Sequence, residues 1–333
     1  MMKKILLLIL LLQVLILLTA GCSAGEAIKP ADAPPEYVSD SGEIKAHFCP
    51  EQGCEEKLLS FLDSAQESVH CALFDIGLTS VQQKLKEKQK EIEVLIVTDN
   101  DYVKKFNHPF VKADTYGLMH NKFCVIDGKK VITGSMNPTD NDAHKNNNNV
   151  LFIDSQIIAQ NYEDEFQELW AGTFKKGAPV KEPKIKLDET RIETYFCPED
   201  HCAEQVKEEL KKAEKSIYFM TFSFTHEGIA NILLLKNLDG IEVKGVAEAR
   251  QISEYSQFSR LLQNGISVRK DGNKNNMHHK VFIIDEKTVV TGSFNPTNNG
   301  DKNNDENVVI IEDPVVANLF VAEFWKVYGE TGS

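Results

Sequence analysis

The chain lacks a positive balance. Lys and Arg number 37 against 50 Asp and Glu, a formal net charge of −13. Nucleic-acid affinity rests largely on neutralising phosphates, so general attraction to DNA or RNA is excluded as a driving force, although a local basic site is not. Aromatic residues make up only 8%, and none interleave with basic residues in the kind of run that stacks single-stranded bases. The longest apolar run, Ile5 to Leu18 with Gln13 inside it, falls short of the roughly 20 residues of a membrane span. The sequence shows no carboxylate cluster that would hold a metal, and nothing calls for a cofactor. What is present is ordinary for a globular protein: 333 residues, 42% hydrophobic and 26% charged, enough for one large or two moderate domains.

The N-terminus stands apart. Lys3 and Lys4 precede the apolar run, and Thr19-Ala20-Gly21-Cys22 follows it. Residues 1–21 therefore read as a signal peptide. Ala20-Gly21-Cys22 resembles a bacterial lipoprotein signal, which implies lipidation of Cys22, with Thr19 standing where that signal usually carries Leu. A cleaved signal with an incidental cysteine, or an uncleaved anchor, remains open, and all three place the chain outside the cytoplasm. Residues 22–43, rich in Ala, Pro, Glu, Asp and Ser, read as a flexible tether.

The remainder is a duplication. Phe48-Cys49-Pro50-Glu51 recurs 148 residues later as Phe196-Cys197-Pro198-Glu199. His120-Asn121-Lys122 recurs at an offset of 158 as His278-His279-Lys280, as does Gly134-Ser135-Met136-Asn137-Pro138-Thr139 as Gly292-Ser293-Phe294-Asn295-Pro296-Thr297. The second half thus gains ten residues between its cysteine and histidine motifs. Strands alternate with helical patterns in both halves, which predicts an α/β layered fold. Repeat 1 is expected over 44–176, a linker over 177–190 and repeat 2 over 191–330.

Of seven cysteines, Cys22 belongs to the signal. Cys49/Cys54 and Cys197/Cys202 are paired by spacing, and two local disulfides are the simplest reading in an oxidising compartment. A metal site at Cys197, His201 and Cys202 is disfavoured because Gly53 is the counterpart of His201. Cys71 and Cys124 lie in apolar strands opposite the repeat partners Phe219 and Phe282, and are expected to be buried free thiols.

The pattern His-x-Lys-x4-Asp-x6-Gly-Ser-x-Asn occurs twice, as His120, Lys122, Asp127, Gly134, Ser135, Asn137 and as His278, Lys280, Asp285, Gly292, Ser293, Asn295. Single histidines and lysines are usually core groups and solvated charges; six fixed positions duplicated in register are not. The chain resembles the phospholipase D superfamily from about residue 44 to 330. That resemblance implies two sheet-plus-helix repeats packed about a pseudo-twofold axis, with one shared active site and a monomer sufficient to build it.

The residue types suit phosphoryl chemistry. One imidazole can attack phosphorus to form a phosphohistidine. The other can protonate the leaving oxygen and then activate water. Lysines and asparagines can hold the non-bridging oxygens. The resemblance implies supporting roles for Asp127 and Asp285, and Ser135 and Ser293 are expected to orient the site. Small family members carry an acid 28 residues after the histidine. Glu306 satisfies this for His278, whereas His120 has Asn148. The expectation is that Glu306 pairs with His278 and makes it the proton donor, leaving His120 as nucleophile. A weakened enzyme, or a non-catalytic module binding phosphate or lipid head groups, is the harsher reading of Asn148.

The motif does not choose a substrate. The tether, the location and the acidic charge favour a phospholipid phosphodiester. Short repeats and the basic stretch Arg269, Lys270, Lys274 favour a nucleic acid, making the protein a secreted endonuclease. A solvated loop is the plain alternative for that stretch. Transfer to an alcohol instead of water is also open.

Overall fold

The computed structural model describes residues 37–330. The signal peptide, most of the tether and Cys22 lie outside the described residues. Repeat 1 follows a short strand, β1 (Val38–Asp40), and comprises β2 (Glu43–Cys49), α1 (Cys54–Asp63), β3 (Ser68–Leu73), α2 (Thr79–Lys88), β4 (Glu93–Thr98), β5 (Val111–Ala113), β6 (Leu118–Met119), β7 (Lys122–Ile126), β8 (Lys130–Gly134), α3 (Asp140–His144), β9 (Asn148–Asp154) and α4 (Gln156–Trp170). After β10 (Lys184–Leu187), repeat 2 comprises β11 (Thr190–Cys197), α5 (Cys202–Lys211), β12 (Ser216–Thr221), α6 (Glu227–Leu238), β13 (Glu242–Ala247), α7 (Phe258–Gln263), β14 (Ser267–Lys270), β15 (Lys280–Ile284), β16 (Thr288–Gly292), α8 (Asn298–Lys302), β17 (Asn304–Glu312) and α9 (Pro314–Gly329).

The duplication is a duplication of topology. One sheet runs β2-β9-β8-β7-β3-β4-β5, and the other contains the matching order β11-β17-β16-β15-β12-β13-β14. Nearly all the extra residues of repeat 2 lie between β13 and β15 and include α7. Two segments read as irregular carry strands. Val38–Asp40, in the expected tether, pairs in parallel with β10, in the expected linker. Three- and four-residue strands have too few side chains to show a period; here a sheet edge recruits them.

Central strands are buried on both faces, so their sequences are almost continuously apolar. Their alternate residues feed two different cores. Phe123 and Val125 of β7, and Val281 and Ile283 of β15, join a central core with Ile158, Tyr162 and Phe166 of α4 and Phe320 and Phe324 of α9. Cys124 and Ile126 face a separate core under α1 and α2. Phe282 and Ile284 face another under α5 and α6. Both closing helices start on side-chain caps: Ser155 accepts from the Ile158 amide, and Asp313 from the amides of Val315 and Val316.

Cys49–Cys54 and Cys197–Cys202 are disulfides. Cys71 and Cys124 are not free thiols: they form a third disulfide. The two stand directly opposite in the antiparallel β3–β7 pair, in register with Phe219 and Phe282 of β12–β15. Where repeat 2 packs two rings, repeat 1 joins two sulfurs.

Candidate active site

Each motif histidine lies just ahead of a central strand and is tied to the opposite repeat. The His120 amide donates to the Asp305 carbonyl at 2.9 Å, and the His278 amide to the Asn147 carbonyl at 2.8 Å. Positions 120 and 278, like 147 and 305, are separated by the repeat offset, so the contacts are related by a pseudo-twofold. Two residues on, Lys122 and Lys280 point to the same side as their histidines. Each Nζ donates to the carbonyl of its own histidine, at 2.6 and 2.7 Å. Phe74 and Phe222, just past β3 and β12, set their rings edge-on to His120 and His278. The lysine ammoniums lie 5.0 and 5.1 Å from the same ring centroids.

The ring partners cross between repeats, against the sequence expectation. Nδ1 of His120, not of His278, contacts Glu306 Oε2, at 2.7 Å. Nδ1 of His278 contacts Asn148 Oδ1 at 3.0 Å. Residue 28 after each histidine therefore serves the other histidine, because β9 and β17 each reach across the pseudo-twofold. Ser135 donates to Asn148 Oδ1 at 2.9 Å and accepts from the Asn149 amide. Ser293 accepts from the Asn307 amide and hydrogen-bonds Glu306. Both serines thus hold the groups that hold the histidines.

A further cross-brace escaped the sequence reading. Asn307 Nδ2 donates to Asn121 Oδ1 at 2.8 Å, and Asn149 Nδ2 lies 3.1 Å from His279 Nδ1. The residue between His and Lys in each motif thus locks onto the opposite repeat. Its signal was present in the sequence, since Asn149-Val150 recurs as Asn307-Val308.

Burial dominates the electrostatics. It pushes both histidines well below their usual value, and the neighbouring Lys122 and Lys280 push the same way. Burial lowers Lys122 to about 8, and lowers Lys280 as well with Lys122 beside it. It raises Glu306 to about 7, against the pull of Lys122. With Glu306 ionised, the His120 Nδ1–H donates to it and Nε2 of a neutral ring keeps its lone pair. The side-chain oxygens of Asn137 and Asn295 are buried without a protein partner. Amide orientation is assigned from such networks, so each asparagine carries hydrogen-bonding capacity not used within the protein.

Other expected site residues lie elsewhere. Asp127 accepts the amides of Gln66, Glu67 and Ser68, and Asp285 those of Glu214, Lys215 and Ser216. They fasten the turns entering β3 and β12 and do not meet the histidines. Arg269 stacks on Tyr328 at 3.9 Å and donates to its carbonyl. Its guanidinium thus packs against the C-terminal helix while its position on β14 stays exposed. Lys270 packs over Phe258, and Lys274 gives its carbonyl to Arg250. The fold also gathers Glu165, Glu168 and Glu199, with oxygens all within 4.8 Å, a carboxylate cluster the sequence did not reveal. Burial raises Glu165 well above the ordinary carboxylate value, and raises Glu199 to about 7.

Two stretches, residues 58–170 and 206–328, match the family described as cardiolipin synthase, phospholipase D-like domain. The chain belongs to the phospholipase D superfamily. It is 33% identical over 142 residues to a phospholipase D of Rickettsia typhi, covering 42% of this chain and 70% of that protein. It is 34% identical over 122 residues to a mitochondrial cardiolipin hydrolase of Mus musculus, covering 36% of this chain and 55% of that one. Each match spans about one phospholipase D-like repeat. A phosphatidylserine synthase of Haemophilus influenzae covers 86% of this chain and 85% of its own, with a TM-score of 0.63 at 12% identity, which shows the two-repeat fold alone.

Proposed function

We propose that this protein hydrolyses phospholipid phosphodiesters through a phosphohistidine on His120. The observation that carries this reading is the buried His120–Glu306 pair facing His278 and two lysines. Glu306 holds the His120 ring by Nδ1 and aims Nε2 outward. When Nε2 bonds to phosphorus, the ring becomes cationic, and the carboxylate beside it stabilises that charge. His278, whose Nδ1 meets the Asn148 amide oxygen, protonates the departing oxygen. It then takes a proton from water, which attacks phosphorus and frees His120. Lys122, Lys280, Asn137 and Asn295 bind the non-bridging oxygens as charge moves onto them. His120 keeps the role of nucleophile, but because it has the carboxylate, not because it lacks one.

The phospholipid assignment draws support from the phospholipase D of Rickettsia typhi and the cardiolipin hydrolase of mouse among the relatives, and from the acidic balance of the chain. An extracytoplasmic, lipid-anchored location draws on the signal-like N-terminus and on three disulfides among the described residues. A mature N-terminus other than acylated Cys22 would remove the anchor. A monomer suffices, because one chain carries both half-sites.

The test offers cardiolipin or phosphatidylethanolamine vesicles, and plasmid DNA, to the detergent-solubilised full chain in EDTA. Release of phosphatidic acid or phosphatidylglycerol, lost in both His120→Ala and His278→Ala, supports the reading. Nicking of DNA that needs both histidines would replace it with the nuclease.

A further inference from the structure

The two half-sites are not equal in charge. Glu306 stands against His120, but its repeat counterpart against His278 is the neutral Asn148. A buried imidazole that must carry a proton would then face only an amide, two lysines and the other imidazole. A second carboxylate lies within reach, at a position the motif does not include. Asp142 Oδ2 is 3.6 Å from His278 Nδ1, and its side chain is only 6% exposed.

We propose that Asp142 is a positioning residue for His278, supplying from α3 the negative charge that the chain lacks at position 148. Three observations point to a carboxylate moved from one position to another. First, the side chain that supports it corresponds between repeats. Asn304 donates to Glu306 Oε1 at 3.3 Å, and its counterpart Asn146 donates to Asp142 Oδ1 at 2.6 Å. Second, the two functions of Glu306 are divided. Asn148 Oδ1 takes the Nδ1 hydrogen bond, and Asp142 brings the charge. Asn148 Nδ2 donates to the Asp142 carbonyl at 3.2 Å, which aims its oxygen at His278. Third, repeat 2 has no acid at the matching place. Gly300 is the counterpart of Asp142, and a Cβ there would lie 2.4 Å from the Asn295 carbonyl oxygen.

Asp142 also accepts the Asn137 amide and Nδ2, each at 2.8 Å, so a purely structural role in that loop must be separated. Repeat 2 closes the equivalent loop without a carboxylate: the Gly300 amide donates to Thr297 Oγ1 at 3.0 Å, as the Asp142 amide does to Thr139 Oγ1 at 3.3 Å. Loop closure therefore does not require the acid. Burial works against ionised Asp142, yet His278 and the amides of Asn146 and Asn137 hold it below its usual value. The charged groups that act most strongly on His278 are Lys280 of its own strand, Lys122, His120 and Asp142, which also favours the charged form of His120. Asp142 alone among these favours the imidazolium.

The proposal rests on the phosphodiesterase reading only for its effect on rate, so the test has a readout apart from turnover. The full chain, labelled at histidine Cε1, is titrated by NMR as wild type, Asp142→Asn, Asn148→Asp and the double variant, with His278→Gln assigning the signal. Asp142→Asn should lower the His278 midpoint by about one pH unit, Asn148→Asp should raise it, and the double variant should return it close to wild type. On a phospholipid substrate, kcat at neutral pH should fall about tenfold in Asp142→Asn and recover in the double variant, with KM little changed, since one pH unit is one decade of protonated His278. An unmoved His278 midpoint in Asp142→Asn, or a double variant no different from it, would overturn the proposal. If wild type turns over no diester but the midpoints move as stated, the proposed function fails and the role of Asp142 stands.

Discussion

His120 Nδ1 and Glu306 Oε2 lie 2.7 Å apart although 186 residues of chain separate them. The contact joins the repeats, and through it the C-terminal half of the chain equips the proposed nucleophile of the N-terminal half. Neither repeat carries a complete histidine pair of its own.

Glu306→Gln keeps the shape of this contact and removes the charge. Phosphohistidine formation should slow by about 10² to 10⁴ in kcat, the scale on which a carboxylate orienting a catalytic imidazole acts. Pre-steady-state bursts would be smaller and slower. A variant that forms the intermediate normally and fails only in its hydrolysis would instead return Glu306 to His278.

Lys122 has a pKa depressed to about 8 by burial. A lysine holds a phosphate oxygen only while protonated, so activity is present below pH 8 and lost as pH rises through it. Lys122→Arg keeps its charge at every accessible pH. Its rate should be lower because the guanidinium is larger, but its alkaline limb should lie above that of wild type. A limb that stays near pH 8 in Lys122→Arg would assign it to another group.

Glu306 also links stability to pH. Its pKa in the fold is about 7, above the ordinary carboxylate value of 4.5. The folded state therefore binds more protons than the unfolded chain between these values, and stability from this group declines as pH rises from 4.5 to 7. Relative to Glu306→Gln, wild type should lose up to about 3 kcal/mol across that window in urea unfolding. A pH-independent difference would show that Glu306 is ionised throughout.

The disulfides should differ in worth. Cys71–Cys124 closes 53 residues and Cys49–Cys54 closes five. Loop-closure entropy gives roughly 4 kcal/mol for the first and about 2 kcal/mol for the second. Denaturant midpoints of Cys71→Ala/Cys124→Ala and Cys49→Ala/Cys54→Ala should fall in that order. Equal losses would mean that strand pairing already holds Cys71 beside Cys124 in the unfolded chain.

Asp127→Ala and Asp285→Ala should lower Tm, since each leaves three turn amides without their acceptor. The folded fraction should retain near-normal kcat at low temperature. A thousandfold loss there would place these aspartates in the chemistry.

The repeat and its alternation of strands and helices were legible in the sequence because six motif residues recur at one offset, and because central strands buried on both faces are nearly pure runs of apolar residues. The histidines, lysines, asparagines and serines were legible for the same reason. The partner of each histidine was not: spacing within a motif suggests a partner in the same repeat, and only the fold shows β9 and β17 crossing. Cys71 and Cys124 looked like lone core residues because their repeat counterparts are phenylalanines. The clue was that strands β3 and β7 had to pair, which sets positions 71 and 124 face to face. Asp142 carried no signal at all, since its counterpart is Gly300 and no motif position falls there. The role of the Arg269, Lys270, Lys274 stretch was not legible, because charge near a motif shows neither direction nor partner.

The covalent intermediate tests the account most directly. Wild type, given a phospholipid and quenched within milliseconds, should carry the phosphatidyl group, and peptide mass spectrometry should find it on the peptide containing His120. The same group found on the peptide containing His278, with none on that of His120, would contradict the assignment of the nucleophile and the role given to Glu306.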